Sequence, residues 1–142
     1  SSFPSKMKIK EKWNIHLHDS RYLNNIIKEK IDGIITEPYL GPFLNELPPV
    51  NQGTEIMKDL EKLYIQVLKG SKNHLRENGR ILFIIPVYRY SSELTISPDS
   101  DIICEKTSLE LVKESKFFGI KLPIEIGRKH NIINRKLLIL EK

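Results

Sequence analysis

The fold of this chain is decided by one stretch, residues 80–86 (RILFIIP). Its apolar residues are consecutive and mostly β-branched or aromatic, which predicts a strand buried on both faces, as in a parallel sheet. A shorter run of the same kind, residues 32–36 (DGIIT), lies upstream. Between the two runs, residues 54–78 carry apolar side chains at spacings of three and four, which predicts a long helix that Thr54 caps. Strand, helix and strand in this order predict a parallel βαβ unit.

The flanking segments add elements on both sides of this unit. Residues 13–18 alternate apolar with polar side chains and predict a half-buried or edge strand. A short helix is expected to follow, with Asp19 or Ser20 as its N-cap. Residues 39–53 are rich in glycine and proline and predict an extended loop, which is usually functional after a buried strand.

The C-terminal third predicts one more helix and a hairpin. Residues 107–110 (TSLE) form a capping box for a helix that is expected to end near Phe118, at Gly119. Residues 120–127 and 136–140 then predict two strands joined by a basic turn. The predicted fold class is therefore α/β, with a mainly parallel sheet and a C-terminal antiparallel hairpin.

Length and composition restrict the class of protein. The 142 residues suffice for one α/β domain spanning 1–142, with 1–12 expected to be flexible, and they exclude a second full domain. The net charge of +5 allows a polyanionic partner without demanding one. The single cysteine, Cys104, excludes a disulfide-stapled secreted fold, and a cytoplasmic location is expected. No apolar run approaches the roughly 20 residues of a membrane span. Because the first residue is not Met, we expect the chain to derive from a longer one.

The polar residues directly after the strand 32–36 are the strongest candidates for chemistry. Glu37, Pro38 and Tyr39 place a carboxylate, a strand-ending proline and an aromatic ring where ligands bind in open parallel sheets. A carboxylate and a carbonyl accept hydrogen bonds from an exocyclic amine, and an aromatic ring stacks on a flat base. The alternative is that these residues only end the strand.

Residues 34–41 (IITEPYLG) resemble the fourth motif of the class I, S-adenosylmethionine-dependent amino-methyltransferases. That motif is usually Asp or Asn, two prolines and an aromatic residue, and the most similar groups are the tRNA guanine 2-amino methyltransferases and their DNA-methylase-like bacterial relatives. The resemblance implies a Rossmann-like methyltransferase sheet of which this chain is the C-terminal portion. It also implies S-adenosylmethionine as cofactor and methyl transfer to an exocyclic amine of a nucleic-acid base, with tRNA guanine as the first candidate.

The resemblance further implies roles for individual residues. Glu37 and the Pro38 carbonyl orient the amine, and Tyr39 stacks on the flipped-out base. Asp19 falls at the third motif, so Asp19, Ser20 and Glu37 are expected to contact the cofactor. Four basic residues are candidates for contact with nucleic acid, namely Arg21, Arg89, Arg128 and Lys129. The alternatives are an N-cap role for Asp19 and a solvated face for the basic residues.

Two departures from the family pattern keep other functions open. Glu37 replaces the usual Asp or Asn with a single proline after it, and no glycine-rich turn follows a first strand. The chain is therefore expected to need a second chain or another copy to complete the sheet, unless residues 13–18 pair directly with the strand 32–36 in a rearranged sheet. If residues 13–18 are left unpaired, this strand would favour self-association. The alternative function is a non-catalytic RNA-binding or subunit-interaction module derived from this fold; a further alternative is an unrelated α/β domain. His16 and His18 have a spacing that can bind zinc but no third ligand nearby, so no metal site is predicted.

Overall fold

The computed structural model describes residues 13–116, 119–128 and 130–142. Its helical elements are a 3₁₀-helix (Ser20–Asn25), helix α1 (Val50–His74) and helix α2 (Ser100–Thr107). Its strands are β1 (Ile31–Thr36), β2 (Leu75–Arg89), β3 (Thr95–Ile96), β4 (Glu110–Leu111), β5 (Glu114–Ser115), β6 (Ile120–Lys121), β7 (Ile124–Ile126) and β8 (Ile133–Glu141). The predicted α/β class is confirmed. Residues 1–12, expected to be flexible, lie outside the described residues.

The main sheet has the strand order β1-β2-β8-β4, with β3 beside β2 and β7 beside β8. Strands β1 and β2 pair in parallel around α1, as the βαβ pattern predicts. Strand β8 is antiparallel to β2, β4 and β7, which confirms the antiparallel final strand. Strands β1, β2, β4 and β7 thus run in one direction, but among the described residues only β1 and β2 pair in parallel. The prediction of a mainly parallel sheet is therefore wrong for this part of the chain, because β8 lies inside the sheet and β3 is also antiparallel to β2.

The core lies between α1 and one face of the sheet. Ile81, Phe83 and Ile85 of β2 point to this face and are fully buried, because alternate residues of a strand share a face. Tyr64 of α1 packs edge-to-face against Phe83 with ring centroids 5.1 Å apart. The predicted burial of β2 is confirmed on this face, and residues 85–88 are all buried. Burial of the second face is incomplete: Leu82 is only partly buried, as are Ile84, Leu137 and Ile139, and Ile35 is exposed.

The predicted strand at residues 13–18 is wrong. These residues form no regular secondary structure, and the side chain of Trp13 is 73% exposed. A strand needs a neighbour to satisfy its backbone groups, and no described strand lies beside this segment. The helix expected after it is reduced to the short 3₁₀-helix Ser20–Asn25, for which Asp19 is the N-cap and accepts a hydrogen bond from the Arg21 backbone N–H.

Helix α1 is confirmed, but its predicted bounds of 54–78 are shifted. Pro49 precedes the first turn, and Thr54 lies inside the helix, where its hydroxyl donates to the Val50 carbonyl. The predicted Thr54 cap is therefore wrong. At the other end the chain becomes extended at Leu75, and Asn78 has the left-handed φ of 62°.

The helix predicted from residue 107 to Phe118 is wrong. Helix α2 instead occupies Ser100–Thr107, before the predicted start, and Asp99 caps it through the N–H groups of residues 101 and 102. Ser108 then turns left-handed, and the Lys72 ammonium donates to the carbonyls of Thr107 and Ser108. Helix α2 therefore ends at the residues where the capping-box pattern predicts that a helix begins.

The segment that follows the predicted helix forms short strands. Phe118 lies outside the described residues, and Gly119 has a positive φ in the turn before β6. The predicted strand at 120–127 is divided, because β6 pairs with β5 while β7 pairs with β8. The hairpin of β7 and β8 is confirmed.

Candidate functional site

The loop after β1, residues 37–49, is held at both ends by tyrosine hydroxyls. Tyr64 of α1 donates a hydrogen bond of 2.6 Å to the Tyr39 carbonyl. Tyr90, just after β2, donates one of 2.9 Å to the Pro48 carbonyl. Burial raises the pKa of the Tyr64 hydroxyl, so it stays a protonated donor well above neutral pH. The core thus fixes the backbone of the loop that carries the Glu37-Pro38-Tyr39 motif.

Two glycines let this loop approach the core closely. Gly41 has a φ of 105°, a conformation that side chains disfavour. At Gly53 in the first turn of α1, a Cβ atom would overlap the Tyr90 hydroxyl oxygen. A side chain at this position would therefore displace the hydroxyl that holds Pro48.

The Tyr64 anchor gives a first testable prediction. Tyr64→Phe keeps the ring in the core but removes the hydrogen bond to the Tyr39 carbonyl, so the free energy of unfolding is expected to fall by about 1 kcal/mol. Urea denaturation measures this change. The matched control, Tyr22→Phe, alters a half-exposed ring and is expected to stay within about 0.5 kcal/mol of wild type. Equal stability of both variants would show that the Tyr64 bond does not hold the loop.

Glu37 lies at the beginning of the loop and is paired across the sheet. Its Oε1 atom accepts a hydrogen bond of 3.1 Å from Nε of Arg135 on β8, and both side chains are 45% exposed. A carboxylate has about four lone-pair sites, so one bond leaves acceptor capacity for an amine. Glu37 thus presents a partly solvated, oriented carboxylate.

Arg135, the partner of Glu37, lines a wide, open cavity of about 690 Å³, which we call the aromatic slot. Three aromatic residues, Tyr39, Phe43 and His130, also line it. Tyr39 is 60% exposed and Phe43 is 93% exposed, so their rings are available to a ligand. Flat aromatic walls next to an acceptor and a donor suit a nucleobase, which stacks through its face and bonds through its edge.

A second cavity of about 490 Å³, the basic cavity, adjoins the aromatic slot at their common wall, Asn131. It is lined by Arg89 and Arg128. Glu125 lies in its floor and accepts hydrogen bonds from Arg89 at 2.5 Å and from Asn134 at 3.1 Å. The bond from Arg89 holds the pKa of Glu125 below its usual value. With two guanidinium groups and one carboxylate, the cavity has a net positive charge.

The structure brings together only part of the predicted set of residues. Arg89 and Arg128 line one cavity, while Lys129 lies outside the described residues. Arg21 is bound to Asp19 through side-chain bonds of 2.6 to 3.1 Å, which lower the pKa of Asp19 to about 2. No hydrogen bond or ion pair among the described residues joins Asp19, Ser20 or Arg21 to Glu37. The N-cap role of Asp19 is thus realised, and the roles of these three residues in ligand binding remain predictions.

Three residues of the slot were not predicted from the sequence. Phe43 had a usable signal, because an aromatic residue in a glycine- and proline-rich loop after a buried strand has no core to enter. His130 had a weaker signal in its basic turn. Arg135 had none, because it lies in an ordinary strand 98 residues from its partner Glu37.

Neither a metal-binding cluster nor a membrane-spanning helix is found among the described residues. Within 13–116, 119–128 and 130–142, no three His, Cys, Asp or Glu side chains cluster as a metal site would need. In the same ranges, neither helix combines the length and the apolar character needed to cross a membrane.

The slot lies beyond the carboxyl end of the parallel strand β1, which is the place where ligands bind in open α/β sheets. Among solved structures, a candidate DNA modification methylase from Thermus thermophilus, TTHA0409, has a similar fold, with a TM-score of 0.50 and 16% identity over 89% of this chain and 52% of that chain. TTHA0409 has also been crystallised with S-adenosyl-L-methionine. TrmN from Thermus thermophilus matches with a TM-score of 0.49 and 16% identity over 88% of this chain and 27% of that chain. A methyltransferase from Pyrococcus furiosus matches with a TM-score of 0.42 and 16% identity over 82% and 43% of the two chains.

The likeness to TTHA0409 shows the fold alone. The chain spans about half of TTHA0409 and about a quarter of TrmN. No family model matches the chain, and no curated protein matches it in sequence.

Proposed function

We propose that this chain is the catalytic-loop portion of an enzyme that transfers a methyl group from S-adenosylmethionine to an exocyclic amine of a nucleic-acid base, with tRNA guanine as the first candidate. One observation carries the proposal: the Glu37-Pro38-Tyr39 motif stands at the carboxyl end of β1, and its Tyr39 lines the aromatic slot together with Arg135, the hydrogen-bond partner of Glu37. The fold shared with TTHA0409 and the resemblance of residues 34–41 to an amino-methyltransferase motif support it.

The open edge of β1 leaves room for the cofactor beside the Glu37-Pro38-Tyr39 segment. The Glu37-Pro38-Tyr39 segment follows β1, whose outer edge no described strand covers, so the motif is open to a cofactor held by a neighbouring strand. Asp19 does not fit in this conformation, because Arg21 engages both of its carboxylate oxygens. When bound, S-adenosylmethionine supplies an electrophilic methyl group on a positively charged sulfur.

The residues of this chain supply positioning. Tyr39 stacks on the base, and the Glu37 carboxylate and the Pro38 carbonyl accept hydrogen bonds from the amine, so that its nitrogen lone pair points at the methyl carbon. Transfer of this methyl group would leave a positive charge on the amine nitrogen. The negative charge of Glu37 stabilises it until an amine proton leaves to water.

The basic cavity suits the phosphate that neighbours such a base. Arg89 and Arg128 line the basic cavity, and Asn131 lines both cavities. A nucleotide whose base lies in the slot would therefore have its phosphate close to two arginine residues. Lys129 is proposed to act with them, since it follows Arg128 in the chain.

The test of this function is transfer of a labelled methyl group from S-adenosylmethionine to unmodified tRNA by the protein that carries this chain. Mass spectrometry of the nucleosides then identifies the product, and N2-methylguanosine is expected. Calorimetric titration of S-adenosylhomocysteine into the 142-residue chain shows whether these residues alone form the cofactor site. A folded protein that binds RNA but transfers no methyl group to tRNA or DNA would support the alternative, a non-catalytic RNA-binding or subunit-interaction module.

We further propose that another chain or a second copy covers the open part of the sheet. Ile35 in the edge strand β1 is 83% exposed, and it adjoins a second sheet face on which Leu82 and Ile84 are only partly buried. An apolar edge and face of this kind are normally covered. TTHA0409 is about twice as long as this chain, which supports the presence of further elements in a complete fold.

Light scattering tests this completion. The 142-residue chain is expected to self-associate, because the uncovered face and edge find cover in another copy. Ile35→Lys is expected to shift the chain toward monomer, since it places a charge on the edge strand. The matched control, Ile126→Lys, changes a half-exposed residue of β7 and is expected to leave association unchanged. A strictly monomeric wild-type chain would contradict completion by a second copy and leave only another chain as the cover.

A further inference from the structure

The hydrogen bond between Arg135 and Glu37 joins parts of the sheet that are not neighbours. Strand β2 lies between β1 and β8, so the two side chains together span about two strand spacings, roughly 10 Å. The backbone of Arg135 is fixed on both sides, because it pairs with Pro86 of β2 and Ile126 of β7. Glu37 instead lies just after β1, outside the strand pairing. The partner whose backbone is held within the sheet is therefore Arg135.

The pair has little to do with stability. Both side chains are 45% exposed, and exposed ion pairs contribute little to the free energy of unfolding. Its position does affect the slot, because Arg135 is also part of the wall beside Tyr39. Because the bond between Arg135 and Glu37 contributes little to stability, we expect its main effect to be on the orientation of the Glu37 carboxylate.

We propose that Arg135 is a positioning residue that holds the Glu37 carboxylate toward the amine of a base in the aromatic slot. Glutamate is one methylene longer than the Asp or Asn of the motif that it resembles, so its carboxylate has an additional rotatable bond to fix. The bond from Nε to Oε1 fixes one oxygen and leaves Oε2 for the amine. This inference rests on the proposed function.

The Glu37–Arg135 pair also restricts which hydrogen-bonding groups the edge of a bound base can carry. Glu37 accepts from the amine, while the terminal nitrogens of the Arg135 guanidinium are donors. A base that fits carries an amine next to an unprotonated ring nitrogen or another acceptor. Guanine, adenine and cytosine meet this requirement, whereas uracil and hypoxanthine lack the amine.

The experiment measures amine-specific binding by fluorescence anisotropy with short labelled oligouridine RNAs. One pair of RNAs carries a single guanosine or inosine, and the other pair carries a single adenosine or purine riboside, so that within each pair the second base lacks the amine. The full chain is expected to prefer the amine-bearing member of one pair by about tenfold, the effect of one hydrogen bond to a charged group.

Variants assign this preference to residues. Glu37→Ala and Arg135→Ala are both expected to reduce it to less than about twofold, and the double variant is expected to lose no more, because the two residues act as one unit. Arg135→Lys keeps the charge without the planar guanidinium and is expected to retain part of the preference. The matched control is Arg80→Ala, which breaks a similar surface pair with Glu141 away from the slot and should keep the full preference.

The outcomes separate this inference from the proposed function. If Arg135→Ala keeps the tenfold preference that Glu37→Ala loses, Arg135 is not a positioning residue, while recognition of the amine by Glu37 stands. If the wild-type chain prefers the amine in neither pair, recognition of the amine itself fails and the inference falls with it. Thermal melting of each variant confirms that a lost preference does not reflect unfolding.

Discussion

Glu37→Gln is expected to slow methyl transfer by the protein that carries this chain by about ten- to a hundredfold. The amide matches the carboxylate in size and keeps one acceptor oxygen, but it removes the negative charge that stabilises the developing cation on the amine nitrogen. The change also weakens the contact with Arg135, because a neutral amide attracts the guanidinium less than a carboxylate does. The loss should therefore appear in kcat at saturating substrate.

The control for this prediction is Glu141→Gln, which makes the same chemical change in the Arg80–Glu141 pair on another part of the surface. Its kcat is expected to equal that of wild type. Comparable rates for wild type and Glu37→Gln, with Glu141→Gln also unchanged, would remove Glu37 from the catalytic machinery and leave Pro38 and Tyr39 as the only motif residues to test.

Phe83→Ala is expected to lower the free energy of unfolding by about 3 to 5 kcal/mol. Phe83 is completely buried at the centre of β2 and packs against the ring of Tyr64. Truncation removes this contact and leaves a cavity between α1 and the sheet. Since domains of this kind are stable by only about 5 to 15 kcal/mol, a large share of the stability is lost.

Urea denaturation at pH 7 measures the effect of Phe83→Ala. Phe43→Ala deletes the same ring from a position that is 93% exposed and is expected to remain within about 0.5 kcal/mol of wild type. A loss of less than about 1 kcal/mol for Phe83→Ala would mean that β2 and α1 do not enclose the core described above.

Local pattern predicted the central part of the fold because each element there is buried against the next. The apolar spacing of α1 and the consecutive apolar residues of β2 can be satisfied only by packing on each other, so periodicity and structure agree at Leu60 and Phe83. The same local reasoning failed at the periphery. Residues 13–18 have the alternation of a strand but no partner among the described residues, and the capping box at 107–110 is overridden by the left-handed Ser108 and by Lys72.

The α/β class, the βαβ unit and the loop that begins with Glu37 could be predicted from the sequence, because turn chemistry and hydrophobic spacing are local properties. The side chains that surround this loop could not, because they come from distant parts of the chain. Tyr64 reaches the Tyr39 carbonyl from α1, and Arg135 reaches Glu37 across an intervening strand. Contacts between residues so far apart in the chain follow from strand order and register, which no local pattern encodes.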